Sequence, residues 1–348
     1  MSTTGTERLR RETVFAPRIE HLLRSYRGAE AFRLDESTVG IAGADLMNAV
    51  LAARPANEFE RPTFKPLQGR KIGRPEASAV MRAVGQDVRT ALKTPTDTPV
   101  DLTGEWPQVG HRYLRDLVFG ADPYRLRVLV DRTLELTPKI TWSVIAAGAT
   151  LPVPPAGRPP LSELAGLVSS ATGYEGRRHA MGMYRRAAAP VCFTVSALVT
   201  NALWLGAPFA TDTPNEHILL ESLRLLPVSW NLLRVADAEF TALDDRIGLA
   251  DDVLMLPLLS HRDPSHWEDP DVFRPERWAT ADPDTHPGYL PFGHVGERCW
   301  GRHMVMPLAE RLLDLIRRDG LTVDPGQTSA KVPLAGLMGA TGVRVVRG

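Results

Sequence analysis

The chain has little cysteine and no net charge, and each shortage excludes a class of protein. Two cysteines among 348 residues cannot form a disulfide framework, so a reducing cytoplasm is the expected location. Lysine plus arginine (41) equals aspartate plus glutamate (41), which gives a net charge of +0. This balance favours neither nucleic acid nor an acidic membrane as a partner.

Long apolar runs are also missing from the sequence. The most apolar stretch, residues 191–205, is interrupted by polar residues and is too short to span a bilayer. Residues 1–12 are polar and basic, which is typical of neither a signal peptide nor a membrane anchor. With 43% hydrophobic and 24% charged residues, the composition is that of a globular protein. We therefore expect one domain over residues 1–348 and no membrane partner.

One of the two cysteines lies in a glycine-rich loop, Leu290–Gly301, ahead of an apolar run that predicts a helix. Glycine lets a backbone approach a flat ligand closely, because it has no side chain in the way. Cys299 can bind a metal as its thiolate, and Phe292 would cover one side of the sulfur. The alternative is a structural cysteine packed in a turn, since free cysteine often behaves as a small hydrophobic residue.

This loop resembles the cysteine-ligand loop of the cytochrome P450 family, whose pattern is Phe, Gly, any, Gly, any, Arg or His, any, Cys, any, Gly. The positions that match in register are Phe292, Gly293, Cys299 and Gly301. Two positions depart from it: Val295 replaces the second glycine, and Glu297 replaces the basic residue that meets a haem propionate. Gly296 and Arg298 each stand one place late.

Three further motifs of that family occur in the expected order around the loop. Glu221 and Arg224 lie three residues apart on one helix face and can form an ion pair. A Pro-Glu-Arg segment ends at Arg277, which in the family closes a buried network with that pair. The Arg-Asp-Pro sequence at 262–264 resembles the family's meander. The resemblance is specific from about residue 215 to 316.

Apolar spacing predicts helices over residues 74–92, 106–119, 123–137, 161–168, 173–187 and 187–205. The resemblance implies that the last of these covers the haem and carries an acid followed by threonine. Here Cys192 and Phe193 occupy those positions, and Thr194 comes one residue late. Pro190 would kink this helix or begin it. The segment Ala147–Thr150 fits the same motif but lies too far upstream.

The resemblance also implies a set of haem-binding residues. Cys299 is the expected proximal thiolate and metal ligand, and Thr194 the expected source of protons, alongside water or the substrate. The expected propionate partners are Arg234, Arg298 and Arg82, in falling order. Ser78 and Arg82 fill the spacing at which the family has a His or Trp and then an Arg.

These resemblances imply a mainly α-helical cytochrome P450 fold with a small β-rich lobe, built partly from residues 228–260 and 332–346. Haem b is the expected cofactor, held between the Cys299 loop and the 187–205 helix. The implied function is monooxygenase-type oxidation of a small organic molecule in specialised metabolism, with electrons from ferredoxin and ferredoxin-reductase-type partners. Two alternatives stay open: a peroxide-dependent or redox-neutral haem enzyme, and a scaffold without haem chemistry that binds a ligand or a protein.

Overall fold

The computed structural model describes residues 11–53, 73–97, 99–119, 163–294 and 298–348. Three sequence-based interpretations therefore lie outside the described residues: the helix over 123–137, the segment Ala147–Thr150, and the loop positions Val295 and Glu297. Within the described ranges the helices are α1 (Pro17–Ser25), α2 (Ala44–Ala52), α3 (Arg74–Leu92), α4 (Gln108–Phe119), α5 (Glu163–Ser170), α6 (Gly173–Gly206), α7 (Asn215–Leu225), α8 (Ala238–Thr241), α9 (Pro257–Ser260) and α10 (Arg302–Arg318). A 3₁₀ turn spans Pro275–Ala279.

Helix α6 is the centre of the helical part and packs against α3, α4, α5, α7 and α10. The sequence predicted two helices that meet at Ala187, and this was wrong, because one helix continues through Pro190. An interior proline costs a helix about 3 kcal/mol. Pro190 is exposed while Ala188 and Val191 beside it are buried, so packing of the buried side offsets that cost.

The length and composition of α6 would also allow it to cross a membrane. However, 72% of its most apolar window is buried inside the fold, as is usual for the core helix of a soluble protein. The apolar side chains of α6 therefore pack against the surrounding helices.

Helix α10 follows the Cys299 loop and lies against α3, α6 and α7. Leu308, Leu312 and Ile316 are fully buried and are spaced four residues apart, so they share one face of the helix. Replacing such a leucine with alanine typically costs about 2–5 kcal/mol. This packing fixes the first turn of α10, where the loop ends.

The strands are β1 (Glu12–Phe15), β2 (Ala31–Asp35), β3 (Thr38–Ile41), β4 (Gly104–Trp106), β5 (Leu232–Val235), β6 (Asp252–Met255), β7 (Leu321–Val323), β8 (Ser329–Val332) and β9 (Val343–Arg347). They form sheets of order β2–β3–β6–β5, β4–β9–β7 and β1–β8. Strands β2 and β3 pair antiparallel as a hairpin.

The strands from the two regions predicted for the β-rich lobe are divided between two sheets. Strands β5 and β6, from the 228–260 region, join β2 and β3, whereas the C-terminal β9 pairs with β4 and β7 in a separate sheet. Residues 257–260 form the short helix α9. Its first turn begins with a proline, which is favoured at the start of a helix.

Candidate active site around Cys299

The Cys299 loop is held by backbone hydrogen bonds that place the sulfur just before α10. The N–H of Cys299 donates to the carbonyl of Phe292 at 2.9 Å, and the N–H of Arg302 donates to the carbonyl of Cys299 at 3.2 Å. The N-terminus of a helix carries partial positive charge, which suits a thiolate ligand. The loop therefore presents its one sulfur at the end of a rigid, well-packed helix.

Two glycines of the loop have identifiable roles. Gly293 has a φ of +85°, a left-handed conformation that favours glycine over any residue with a Cβ. An added Cβ at Gly301 would lie 3.4 Å from the sulfur of Cys299. A methyl group there would cover part of the sulfur, so glycine leaves it open to a ligand.

Cys299 is exposed and opens onto a cavity of about 390 Å³. The residues that line this cavity are Arg298, Cys299, Trp300, Arg302 and His303. The expectation that Cys299 can be reached by a ligand agrees with this geometry, and the alternative of a packed structural cysteine does not. The other cysteine, Cys192, is buried in α6.

A second cavity, of about 230 Å³, lies on the other side of the loop between α7 and α10. Phe292, Gly293 and Arg298 line it, together with Glu216 and Glu310 from the two helices. Phe292 is partly buried and packs against the main core. Its predicted role of covering one side of the Cys299 sulfur stays a prediction.

Arg298 and Arg302 share one carboxylate. Both guanidinium groups form ion pairs with Asp284, in the segment that leads into the loop. Burial alone would raise the pKa of Asp284, but the hydrogen bond from Arg302 and the charge of Arg298 outweigh it, and the pKa is lowered. The two arginines therefore bring positive charge to the Cys299 cavity while Asp284 partly neutralises it.

Arg302 was missed by sequence reasoning, although a signal was present. It lies three residues after Cys299, in the first turn of the predicted helix, where a side chain shares the face of the preceding turn. Arg298, which was predicted, does line the cavity. The other two predicted arginines line neither cavity. Arg82 is exposed on α3, and Arg234 is partly buried on β5 and donates to the carbonyl of Leu233 at 3.0 Å.

Phe193 and Thr194 of α6 occupy the positions at which the resemblance implies a proton-delivery site. Phe193 stacks on His111 of α4, with ring centroids 4.3 Å apart and planes 11° apart. Thr194 is partly buried and lies about 100° further round the helix. Phe193, Thr194 and His111 are all absent from the lining of the two cavities beside Cys299. The role of Thr194 as a source of protons therefore stays a prediction.

A buried network of charged residues supports the loop. It contains the three residues that the sequence predicted, Glu221, Arg224 and Arg277. Glu221 and Arg224 of α7 are both fully buried, with two hydrogen bonds of 2.8 and 3.0 Å between them. Glu221 also accepts from Arg277 at 3.2 Å, from the Trp278 ring at 3.0 Å and from the N–H of Arg274 at 2.9 Å. Each oxygen of the carboxylate is therefore occupied, as a buried charge requires.

The residues around Cys299 suit the axial ligand of haem more fully than they suit the haem propionates. The exposed thiol, the open side at Gly301 and the start of α10 suit an axial thiolate. Arg298 and Arg302 offer guanidinium groups for carboxylates of the ligand, although both are bound to Asp284 here. The donor set thus fits haem at its axial ligand, and propionate binding would require these arginines to share or exchange Asp284.

Comparison with known proteins finds sequence matches to one part of the chain. Residues 216–316 match the family model of cytochrome P450. Cyclooctatin synthase of Streptomyces melanosporofaciens is 35% identical over 111 residues, which are 30% of this chain and 24% of that protein. Cytochrome P450 3A6 of Oryctolagus cuniculus is 34% identical over 93 residues, 26% of this chain and 19% of that protein. The chain therefore spans about a quarter or less of the length of these curated relatives.

Solved structures extend the likeness to nearly the whole chain. The structure of CYP154A1 from Streptomyces coelicolor A3(2) has a TM-score of 0.59 at 17% identity, and covers 95% of this chain and 99% of that one. The hydroxylase HmtN has a TM-score of 0.56 at 14% identity, and covers 92% of this chain and 93% of its own. At such identities the likeness shows the fold, which the sequence predicted correctly.

Proposed function

We propose that this chain is a haem-thiolate oxidoreductase of the cytochrome P450 family, which oxidises a small organic molecule by monooxygenase-type chemistry. The observation that carries the proposal is the exposed Cys299 thiol at the start of α10, in a loop that keeps the family's Phe292, Gly293 and Gly301. A thiolate-bound haem supplies oxidation chemistry by favouring O–O cleavage, and the protein supplies binding and orientation.

Each predicted site residue has a proposed role in holding the cofactor, which we take to be haem b. Cys299 would be the axial ligand, and Phe292 would shield its sulfur from water. Arg298 and Arg302 would bind carboxylates of the cofactor, because they line the same cavity as Cys299. Arg234 and Arg82 remain propionate candidates from the resemblance alone.

A small-molecule substrate of specialised metabolism is the proposed substrate class. It is supported by the similar proteins, which include a cyclooctatin synthase and a hydroxylase involved in himastatin biosynthesis. Ferredoxin and ferredoxin-reductase-type proteins are the proposed electron donors, and the cytoplasm is the proposed location. Thr194, water or a substrate group would provide protons.

The absorbance spectrum of the reduced protein under carbon monoxide tests this proposal. Wild type should show the band typical of thiolate-ligated haem, and Cys299→Ala should lose it. Cys192→Ala is the matched control. The Cys192 sulfur is buried in the core, so its removal should leave the band unchanged. An identical spectrum in Cys299→Ala would exclude Cys299 as the ligand, and absence of any haem band in wild type would favour a scaffold without haem chemistry.

A peroxide-dependent or redox-neutral enzyme is the second candidate function. The observation that favours it is the stacking of Phe193 on His111, since by the resemblance Phe193 stands where the family has its distal hydroxyl. Phenylalanine can neither donate nor accept a hydrogen bond of that kind. Product formation with hydrogen peroxide alone, compared with formation by a ferredoxin system, separates the two candidates.

A further inference from the structure

His261 connects the buried charge network to the Cys299 loop. Its ring is fully buried between α7 and the segment that leads into the loop. The Nε2 atom accepts a hydrogen bond from the N–H of Leu290 at 2.8 Å, and Nδ1 lies 3.3 Å from the carbonyl of Leu223. An accepting Nε2 requires the proton on Nδ1, which then donates to that carbonyl. Burial, with the nearby charge of Arg224, lowers the pKa of His261 to about 3, so the ring is neutral.

Leu290 is the first residue of the loop, and its peptide groups begin a short series of hydrogen bonds that ends at the cysteine. Its carbonyl accepts from the N–H of Gly293 at 3.3 Å, and the next bond joins Phe292 to the N–H of Cys299. The position of the Leu290 N–H therefore sets where this series starts relative to α7.

The backbone of His261 also accepts a hydrogen bond from the buried charge network. Its carbonyl accepts from Nη1 of Arg224 at 2.9 Å, while its ring holds Leu290. One residue thus bonds both the arginine of the buried ion pair and the first N–H of the loop. Tyr289 adds a parallel contact, since its hydroxyl donates to the carbonyl of Leu220 at 2.8 Å.

We propose that His261 is a positioning residue for the axial cysteine, which fixes the start of the Cys299 loop on α7 through its imidazole acceptor. This inference rests on the proposed function only in calling Cys299 the axial ligand. The hydrogen bond between the His261 imidazole and the loop involves protein atoms alone, so it can be tested without measuring turnover.

Three substitutions separate the acceptor from the rest of the side chain. Glutamine places an amide oxygen near the position of Nε2 and can accept from Leu290, so His261→Gln should preserve the loop. Asparagine reaches only the position of Nδ1, and leucine has no polar atom, so both should leave the Leu290 N–H buried without an acceptor. His266→Gln is the matched control, because that ring lies in the next turn and touches His286 rather than Leu290.

Amide exchange of the full-length protein, resolved to single residues by mass spectrometry, is the first readout. Loss of the acceptor should speed exchange at Leu290 about tenfold to a hundredfold in His261→Asn and His261→Leu. Exchange in His261→Gln and His266→Gln should stay within about threefold of wild type. Equal exchange in the Asn and Gln variants would overturn the proposal.

The thiolate-type fraction of the carbon monoxide band is the second readout. It should fall in His261→Asn and be restored in His261→Gln, a rescue that loss of packing alone would not produce. If wild type lacks a haem band, the proposed function fails, and the exchange comparison still decides the role of His261. If every His261 variant is unfolded, exchange in wild type decides it, because a freely exchanging Leu290 amide would exclude the contact.

Discussion

Removing Arg224 should destabilise the protein far more than removing either neighbouring arginine of the same network. Arg224→Ala deletes two hydrogen bonds to Glu221 and three more to the carbonyls of His261, Pro270 and Val272. Glu221 would stay fully buried with its nearest opposite charge gone. Breaking a buried ion pair in this way costs about 3–5 kcal/mol, a large share of the 5–15 kcal/mol that typically holds a domain together.

Two other arginines supply the comparison within the same region. Arg277 makes one bond to Glu221 and its side chain is 11% exposed, so Arg277→Ala should cost about 1.5–3 kcal/mol. The side chain of Arg274 is 32% exposed and pairs with surface carboxylates, so Arg274→Ala should cost about 1 kcal/mol or less. The structure therefore predicts the order Arg224, Arg277, Arg274.

Urea unfolding followed by far-ultraviolet circular dichroism measures this order, with haem content recorded for each variant. Wild type and Arg274→Ala should unfold at similar urea concentrations, whereas Arg224→Ala should unfold much earlier or be recovered without haem. An Arg224→Ala protein as stable as Arg274→Ala would show that the pair contributes no more than a surface contact.

Two further predictions concern acid and the distal helix. Because the pKa of His261 is 6.5 when unfolded and about 3 when folded, the unfolded chain binds the extra proton between these values. The free energy of unfolding should thus fall by up to about 1.4 kcal/mol per pH unit below pH 6.5. His261→Gln should flatten that slope in acid titrations of thermal stability, and an unchanged slope would contradict the assignment. Thr194→Ala should lower turnover less than tenfold, since a true proton donor is worth about 10²–10⁴-fold. A large loss of product with a matching rise in hydrogen peroxide would contradict this.

The proximal part of the site could be predicted because its residues are constrained locally. Glu221 and Arg224 are one helical turn apart, so their pairing follows from the sequence spacing. Gly293 needs a left-handed backbone, and Gly301 must leave the sulfur open, so both positions restrict residue choice strongly. Such requirements can be recognised from short segments of sequence.

The sheet partners could not be predicted in the same way. Strand β4, at residues 104–106, pairs with β9, at residues 343–347. Neither segment contains a local sequence pattern that identifies the other as its partner. The continuity of α6 through Pro190 was missed for a related reason. Local propensity breaks the helix there, and only the buried contacts on both sides of the proline restore it.

This difference in constraint also explains why likeness to known proteins is concentrated in one segment. The family match covers residues 216–316, and identities near 35% occur only over short spans, while whole-chain structural neighbours share 14–17%. In the 216–316 segment, a buried carboxylate such as Glu221 accepts from several fixed donors, and any substitution leaves one of them unpaired. Core positions such as Leu198 of α6 only need an apolar side chain of similar volume, and such exchanges usually cost less than about 1.5 kcal/mol. Sequence can therefore diverge around α6 while the segment that holds Cys299 stays recognisable.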